Sequence, residues 1–400
     1  MTEWIECKLS DIGEIVGGAT PSTKDDSNYD GDIAWLTPKD LSTFTERYIK
    51  KGERSITEKG YKSCSTKILP ANSVLFSSRA PIGYVAIAAN EMCTNQGFKS
   101  IIPNEKVDYV FLYYLLKYKK SAIEGMGSGT TFKEVSGNVM KNIEVRIPKE
   151  KSVQKKIAEI LDKIDSKIEN NNAINRNLSE QMQAIFASIF YPEIEAGNKV
   201  SLGDYLYIKG RIGWKGLKKD EYLDESEYRI INGESLTATG IDWAKAGYIS
   251  EERYIESPEI MLQEGDILIS KDGTIGKIGY VNKLEKPTSV ASGIFVVRNL
   301  KPEEVSTVFI YCLLNSDYFK SFIASRTEGS VIPHLYQKDF VTLEIPLLTQ
   351  EQLNIFNGSV NPLFELYFKN QTENIQLTAL RDTLLPRLMS GELDVSDIDI

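Results

Sequence analysis

The chain has 400 residues, of which 42% are hydrophobic and 26% charged, with four cysteines, one histidine and a net charge of -9. That length exceeds what one hydrophobic core organises, so two domains plus connecting structure are expected. No apolar run approaches the ~20 residues that cross a bilayer, and the N-terminal MTEWIECKLS lacks the basic and then apolar pattern of a secretory signal, which points to the cytoplasm. Cys7, Cys64, Cys93 and Cys312 are scattered without a C-x-x-C pair, and His334 stands alone. Neither a disulfide framework nor a zinc site is indicated, and reduced, buried thiols are the expectation. The negative total argues against a nucleic-acid partner only if it is evenly spread. It is not: residues 1–150 carry 20 basic and 19 acidic groups, whereas 193–347 carry 18 and 24. A local basic face remains open.

In chain order, strand-like runs such as NSVLF come first, punctuated by Gly, Pro, Asn and Asp turns. A helix is predicted over Asp108 to Lys120, with Phe111, Leu112, Leu115 and Leu116 on one core-facing stripe. A long heptad pattern follows, with a positions Ile157, Ile164, Asn171, Leu178 and Ile185 and d positions Leu161, Ile168, Asn175, Met182 and Ile189. Then the first part repeats. ILPANSVLFSSRAPIGYV from Ile68 aligns without a gap on MLQEGDILISKDGTIGKI from Met261, at an offset of 193. VFLYYLLK answers VFIYCLLN, and Ile147-Pro148 answers Ile345-Pro346, both at an offset of 198. A second heptad pattern closes the chain, with a positions Phe356, Leu363, Asn370, Leu377 and Leu384 and d positions Val360, Tyr367, Asn374, Arg381 and Leu388. Pro362, after Gly358, starts that helix at Asn361 or kinks it there.

If the two helices pack antiparallel, one register sets Asn171 opposite Asn374 and Asn175 opposite Asn370. Polar layers of this kind reduce stability but fix register, because a slipped pairing leaves amides facing Leu or Ile. The competing expectation is a solvated or frayed midpoint at NNNAINRN.

Catalytic constellations are missing. DGTIGKIG is the nearest approach to a phosphate loop, and it has neither the glycine spacing nor a Ser or Thr after Lys277. A single histidine leaves Ser-His-Asp, Cys-His and H-E-x-x-H arrangements unsupported or excluded. There is no N-P-P-Y or D-P-P-Y adenine-methyltransferase signature and no metal-nuclease cluster. The sequence reads as a binder, with a scaffold joining two proteins and a nucleotide hydrolase on the GTIGK turn as the alternatives.

Six stretches, LSDIGEIVGGATPS, IAWLTPKDL, SSRAPIG, GSGTTFKEVSG, VRIPKEKSVQKKIAEILDKID and LRDTLLPRLMSGEL, together with the duplication, resemble the DNA specificity (S) subunits of type I restriction-modification systems over essentially the whole chain. The resemblance implies an α+β protein. Two tandem, pseudo-twofold-related target-recognition domains, each mixed α/β with a β-rich DNA-facing part, would be joined by two long antiparallel coiled-coil helices. The divisions expected are a first recognition domain at 1–150, a first spacer helix at 151–192, a second domain at 193–347, a second helix at 348–391 and an acidic tail at 392–400. It also implies that each domain reads half of a bipartite, asymmetric site in double-stranded DNA. The helices would set the spacing and dock two methyltransferase (M) subunits, with restriction (R) subunits bound through them. A seam from Ile157 to Ile189 would be roughly 48 Å long at 1.5 Å per residue, against about 34 Å per DNA turn. S-adenosylmethionine, ATP and Mg2+ would serve the partner subunits, and this chain would hold no cofactor or metal and catalyse nothing itself.

The candidate DNA contacts then fall in loops. In the first copy they are Thr20, Ser22 and Lys24 of GGATPS and its flank, Arg79 of SSRAPIG, Asn95 and Gln96 of CTNQGFK, and Ser128, Thr130, Thr131 and Lys133 of GSGTTFKE. In the second copy IKGRIGWKGLKK sets Lys209, Arg211, Lys215, Lys218 and Lys219 around Trp214 with no acid in the run. Lys271, beside the Arg79 counterpart Asp272, and His334, Tyr336, Gln337 and Lys338 complete the set.

Overall fold

The structure is a computed structural model that describes residues 2–129, 133–212, 215–327 and 334–395. It divides into two compact units, residues 1–172 with 372–400, and residues 173–371.

In the first unit the strands Gly13–Gly17, Lys99–Pro103, Val74–Ser78, Ile82–Ala88 and Tyr48–Ile49 lie side by side in that order. The central strand, VLFSS, is buried at every position because both faces of the sheet are covered. Its side chains alternate as a pleated strand requires: Val74 and Phe76 face one apolar cluster and Leu75 another. The first cluster is completed by the helix Tyr109–Gly125, which buries Phe111, Leu112, Leu115 and Leu116 together with Tyr113 and Tyr114. Asp108 starts that helix by accepting from the amides of Val110 and Phe111, each at 3.0 Å. A second sheet runs Ser55–Ile56, Tyr29–Leu36, Cys93–Thr94, and a two-stranded ribbon pairs Trp4–Lys8 with Glu144–Pro148.

The second unit repeats this plan. Leu206–Gly210, Ile294–Asn299, Ile267–Ser270 and Ile278–Tyr280 form the main sheet in the corresponding order. Ile267 and Ile269 face one cluster and Leu268 another, the alternation seen at Val74 to Phe76. A parallel pairing recurs in the smaller sheets, Trp35 opposite Cys93 and Ile230 opposite Ser289. Lys199–Ser201 pairs with Glu344–Pro346 as the second ribbon. The copies differ late: VFIYCLLN lies in a short helix, Thr307–Asn315, and after Ser316 the chain starts another, Asp317–Thr327.

Two long helices run Lys151–Ala196 and Gln350–Ser390. The second begins well before Asn361 and passes Gly358 and Pro362 without ending. Phe356, Val360 and Phe364 are buried on either side of the proline. The burial of that face outweighs the roughly 3 kcal/mol that an interior proline costs a helix. Within each unit the two helical segments are antiparallel. In the first, Asp165 accepts from Arg381 at 2.9 Å and Asn374 from Asn171 at 2.9 Å. In the second, Asn370 Nδ2 donates to Asn175 Oδ1 at 2.9 Å, and Gln352 donates to Glu193 at 2.7 Å. Asn171, Asn175 and Asn370 are only 1%, 7% and 6% exposed, so these amides lie inside the seam and not at a solvated midpoint. Asn374 also donates to Asn172 at 2.8 Å, and Asn171 to Glu373 at 2.8 Å.

In the first unit the sheet-bearing domain is fastened to the helix by Arg47. Its backbone amide and Nε both donate to Glu169 Oε1, at 2.8 and 3.0 Å, and its guanidinium also reaches Asp162, Ser166 and the second Glu169 oxygen. Burial works against that positive charge, but the bonds to Glu169 and the charges of Asp162 and Glu169 outweigh it and hold the pKa above its ordinary value.

Candidate nucleic-acid interface

Four loops of the first unit meet at one end of the main sheet. The turn after Ser78 is tied to the loop of Asn95 by Ser78 N donating to Gly97 O at 2.7 Å, and to the loop of Lys133 by Val135 N donating to Ser78 O at 3.0 Å. The GGATPS loop lies on the same group: Ala19 N donates to Thr94 O at 3.0 Å, and Thr20 Oγ1 donates to Gln96 Oε1. Gly18 is required there, since a Cβ would stand 2.0 Å from Thr94 O. Trp35 Nε1 and the Tyr29 hydroxyl hold the loop from below by donating to Ala19 O and Pro21 O, at 3.1 and 2.8 Å.

Thr20, Gln96 and Arg79 are therefore brought together with Ser128 and Lys133 on one surface, and Ser22 and Lys24 are exposed on the adjoining loop. Asn95 is engaged in the framework: its Oδ1 accepts from Gly97 N at 2.8 Å, which shapes the turn. Thr130 and Thr131 lie outside the described residues. Two side chains that the sequence reading passed over belong to the same surface. Glu134 pairs with Arg79 at 3.7 Å and with Lys99 at 3.2 Å. The hint available in the sequence was position, since Glu134 closes GSGTTFKE and Lys99 closes CTNQGFK.

The second unit builds the same junction. Lys271 N donates to Gly293 O at 2.9 Å, and Leu335 N donates to Lys271 O at 3.1 Å. The duplicated turns carry the same internal brace. Ser77 Oγ donates to Pro81 O at 2.8 Å and accepts from Tyr84 N at 2.8 Å. Ser270 Oγ donates to Thr274 O at 2.6 Å and accepts from Lys277 N at 2.8 Å. Gly83 and Gly276 follow at φ +97° and +84°, where a side chain would be strained. In this turn Lys277 N bonds Ser270 Oγ and Gly276 N donates to Ser270 O, so these two amides do not cradle a phosphate.

The run IKGRIGWKGLKK does not form the single exposed cationic patch expected of it. Arg211 turns inward and is 3% exposed. It donates to Val290 O at 3.2 Å, Ser289 Oγ at 3.3 Å and Ser257 Oγ at 3.4 Å, doing for the strand end at Val290 what Ala19 N does for Thr94. Burial, and after it the charge of Arg253, hold the Arg211 pKa below its ordinary value. A guanidinium spent on interior oxygens is not a phosphate contact. Lys215 is half-buried, its Nζ donating to Glu256 O at 2.6 Å. Acids do lie beside the run: Glu221 accepts from the backbone amide of Lys218 at 2.7 Å and pairs with Arg253 at 3.0 Å, and Arg253 also meets Glu256. Lys218 and Lys219 are exposed, Lys209 is half-exposed beside the Tyr207 ring, and Trp214 lies outside the described residues.

His334 pairs through Nδ1 with Asp272, and its ring lies 4.4 Å from that of Tyr336, centroid to centroid. Lys338 stands over the exposed Tyr336 ring, Gln337 is exposed, and Lys271 is held between Asp272, at 3.6 Å, and the Phe295 ring. Cys93 and Cys312 are buried as expected, but Cys7 and Cys64 are only half-buried. Among the described residues no group of three or more His, Cys, Asp or Glu is placed to hold a metal ion, and no helix is long and apolar enough to cross a membrane.

The comparisons agree with this duplicated plan. A family model described as the type I restriction modification DNA specificity domain matches residues 1–180 and again 198–358. The type I restriction enzyme MjaIX specificity subunit of Methanocaldococcus jannaschii is 34% identical, over 99% of this chain and 95% of that relative. The MjaVIII specificity subunit of the same organism is 20% identical, over 99% and 94%. The crystal structure of a type I restriction-modification system S subunit from M. genitalium has the same fold, with a TM-score of 0.58 at 20% identity over 97% of this chain and 96% of that one. Two matches to one domain along a single chain, and a relative a third identical over its whole length, show that the protein belongs to the type I restriction-modification DNA specificity family and is a specificity subunit with two recognition domains.

Proposed function

We propose that each recognition domain reads one half of a bipartite site in double-stranded DNA through its four-loop surface. The observation that carries this is the convergence of those loops, in both units, onto one framework of matching hydrogen bonds, with half-exposed or exposed polar and cationic side chains outward. Such a surface offers phosphate contacts through Lys24, Lys133, Lys218, Lys219 and Lys338, and donor and acceptor groups for base edges through Thr20, Arg79, Gln96 and Asp272.

The long helices act as spacer and as docking surface for two methyltransferase subunits, through which restriction subunits join. The part-buried Asn171–Asn374 bond and the buried Asn175–Asn370 bond support a fixed register for that spacer. Chemistry lies with the partners: adenine methylation with S-adenosylmethionine, and ATP- and Mg2+-dependent translocation and cleavage. This chain contributes recognition and no catalysis, in the cytoplasm.

The test is adenine methylation mapped genome-wide with and without the gene. A bipartite motif should lose its methylation when the gene is removed and regain it on complementation. An unchanged map refutes the reading.

A further inference from the structure

The position that differs most within the duplicated turn is the one the framework treats identically. Arg79 and Asp272 occupy the same place, each following a residue whose amide bonds a glycine carbonyl, Gly97 or Gly293, and whose carbonyl accepts from a buried residue, Val135 or Leu335. The residue immediately before that buried one is Glu134 in one unit and His334 in the other. Arg79 pairs with Glu134, and Asp272 pairs with His334. One cross-loop pair is thus built twice with its polarity reversed. All four side chains are 27–44% exposed, so the pair is held in place without being sealed from a ligand.

We infer that residue 79 or 272 is a base-reading position, that its partner on the next loop is its positioning residue, and that the reversal makes the two half-sites chemically different at the matching base pair. The inference rests on the DNA reading proposed above. Arg79 is a donor-only fork and fits the O6 and N7 acceptors of guanine. Asp272 is acceptor-only and fits an exocyclic amino group, the N4 of cytosine before others. Glu134 and His334 keep a mobile side chain aimed before DNA arrives, which reduces what binding costs in lost side-chain freedom.

The experiment uses the full chain expressed with its methyltransferase subunits, and reads adenine methylation over a library that varies every base of the site. Arg79→Lys keeps the charge and loses the fork. Asp272→Asn keeps the shape and adds a donor. Each should relax discrimination at one base pair of its own half by about 5- to 150-fold and leave the other half as it was. Asp272→Asn should in addition admit a carbonyl-bearing base at that position. Glu134→Gln and His334→Gln should give smaller losses at the same base pairs, a coincidence that a merely structural role would not produce. Unchanged preferences overturn the inference, as does a uniform fall across all sequences, which would mark a phosphate contact or a loop latch. Loss at both halves also overturns it, because a position reading one base pair leaves the second domain intact. If the unaltered chain directs no sequence-selective methylation, the function proposed above fails first.

Discussion

Replacing Asn370 or Asn175 by Leu, singly and together, tests whether the asparagines in the seam hold its register. Asn370 Nδ2 donates to Asn175 Oδ1 at 2.9 Å, and Asn175 Nδ2 donates to the Tyr367 carbonyl at 3.0 Å, with both residues more than nine-tenths buried. Asn370→Leu strips the donor from a buried acceptor, and Asn175→Leu strips the acceptor from a buried donor. Each single change should cost about 1–3 kcal/mol, the penalty of leaving a desolvated polar group unmade. The double variant leaves no orphan and sets two leucines opposite one another in an apolar layer, so it should lie within about 1 kcal/mol of the native chain or above it. The coupling between the sites should then be at least about 1–2 kcal/mol. Thermal unfolding of the full chain reads this, since a unit of this size moves by about 2–4 °C for each kcal/mol. Two neutral single variants, or a double variant equal to the sum of the singles, would refute the reasoning and mean that water reaches these amides.

Four further outcomes follow from the geometry. Arg47→Met should destabilise the first unit by about 2–4 kcal/mol in thermal unfolding, because it strands Glu169 and Asp162, with partial solvent access of the carboxylates keeping the cost toward the low end. Lys218→Ala and Lys219→Ala should weaken DNA binding across sequences and flatten its log-log salt dependence by roughly one unit per lost phosphate contact, measured by titration at several salt concentrations. Arg211→Ala should instead lower the melting temperature without changing that slope, since its guanidinium is committed to Val290, Ser289 and Ser257. Burial pushes the Cys93 and Cys312 thiols up to about 11 and about 12, so at pH 8 a thiol reagent should label only Cys7 and Cys64 in the folded chain, all four reacting on denaturation.

Much of the fold was legible because side-chain pattern and fold-forming force coincide there. Heptad positions such as Ile157, Leu161 and Met182 are buried in the seam because burial is what their periodicity encodes. Pro362 does not start the helix for the complementary reason: local propensity is a weak term beside the packing of Phe356, Val360 and Phe364 on the same helix. Arg211 misled because adjacency in sequence carries no direction. Five cations in twelve residues look like one patch, yet the strand ending at Gly210 aims the next side chain at interior oxygens while Lys218 and Lys219 remain outside. Glu134 was overlooked because a carboxylate reads as hostile to DNA until its role in holding Arg79 and Lys99 is seen.

The duplicated turn separates what a sequence can record from what it cannot. The bonds that join three of the four loops, Ser78 to Gly97 and Val135 to Ser78 with their counterparts at Lys271, Gly293 and Leu335, run between backbone groups. Almost any side chain satisfies them, so Ser78 can become Lys271 and Val135 can become Leu335 with the framework intact. Within the turn a side chain supplies the brace, and there the residue is the same in both copies: Ser77 and Ser270 each bridge a carbonyl and an amide across the turn. Gly83 and Gly276 are fixed for a conformational reason of the same kind. A surface joined largely by backbone bonds and braced by a shared serine and glycine leaves its outward side chains out of those bonds. With the framework kept in both copies, Arg79 and Glu134 of one unit give way to Asp272 and His334 in the other, and the loop bonds stay in place.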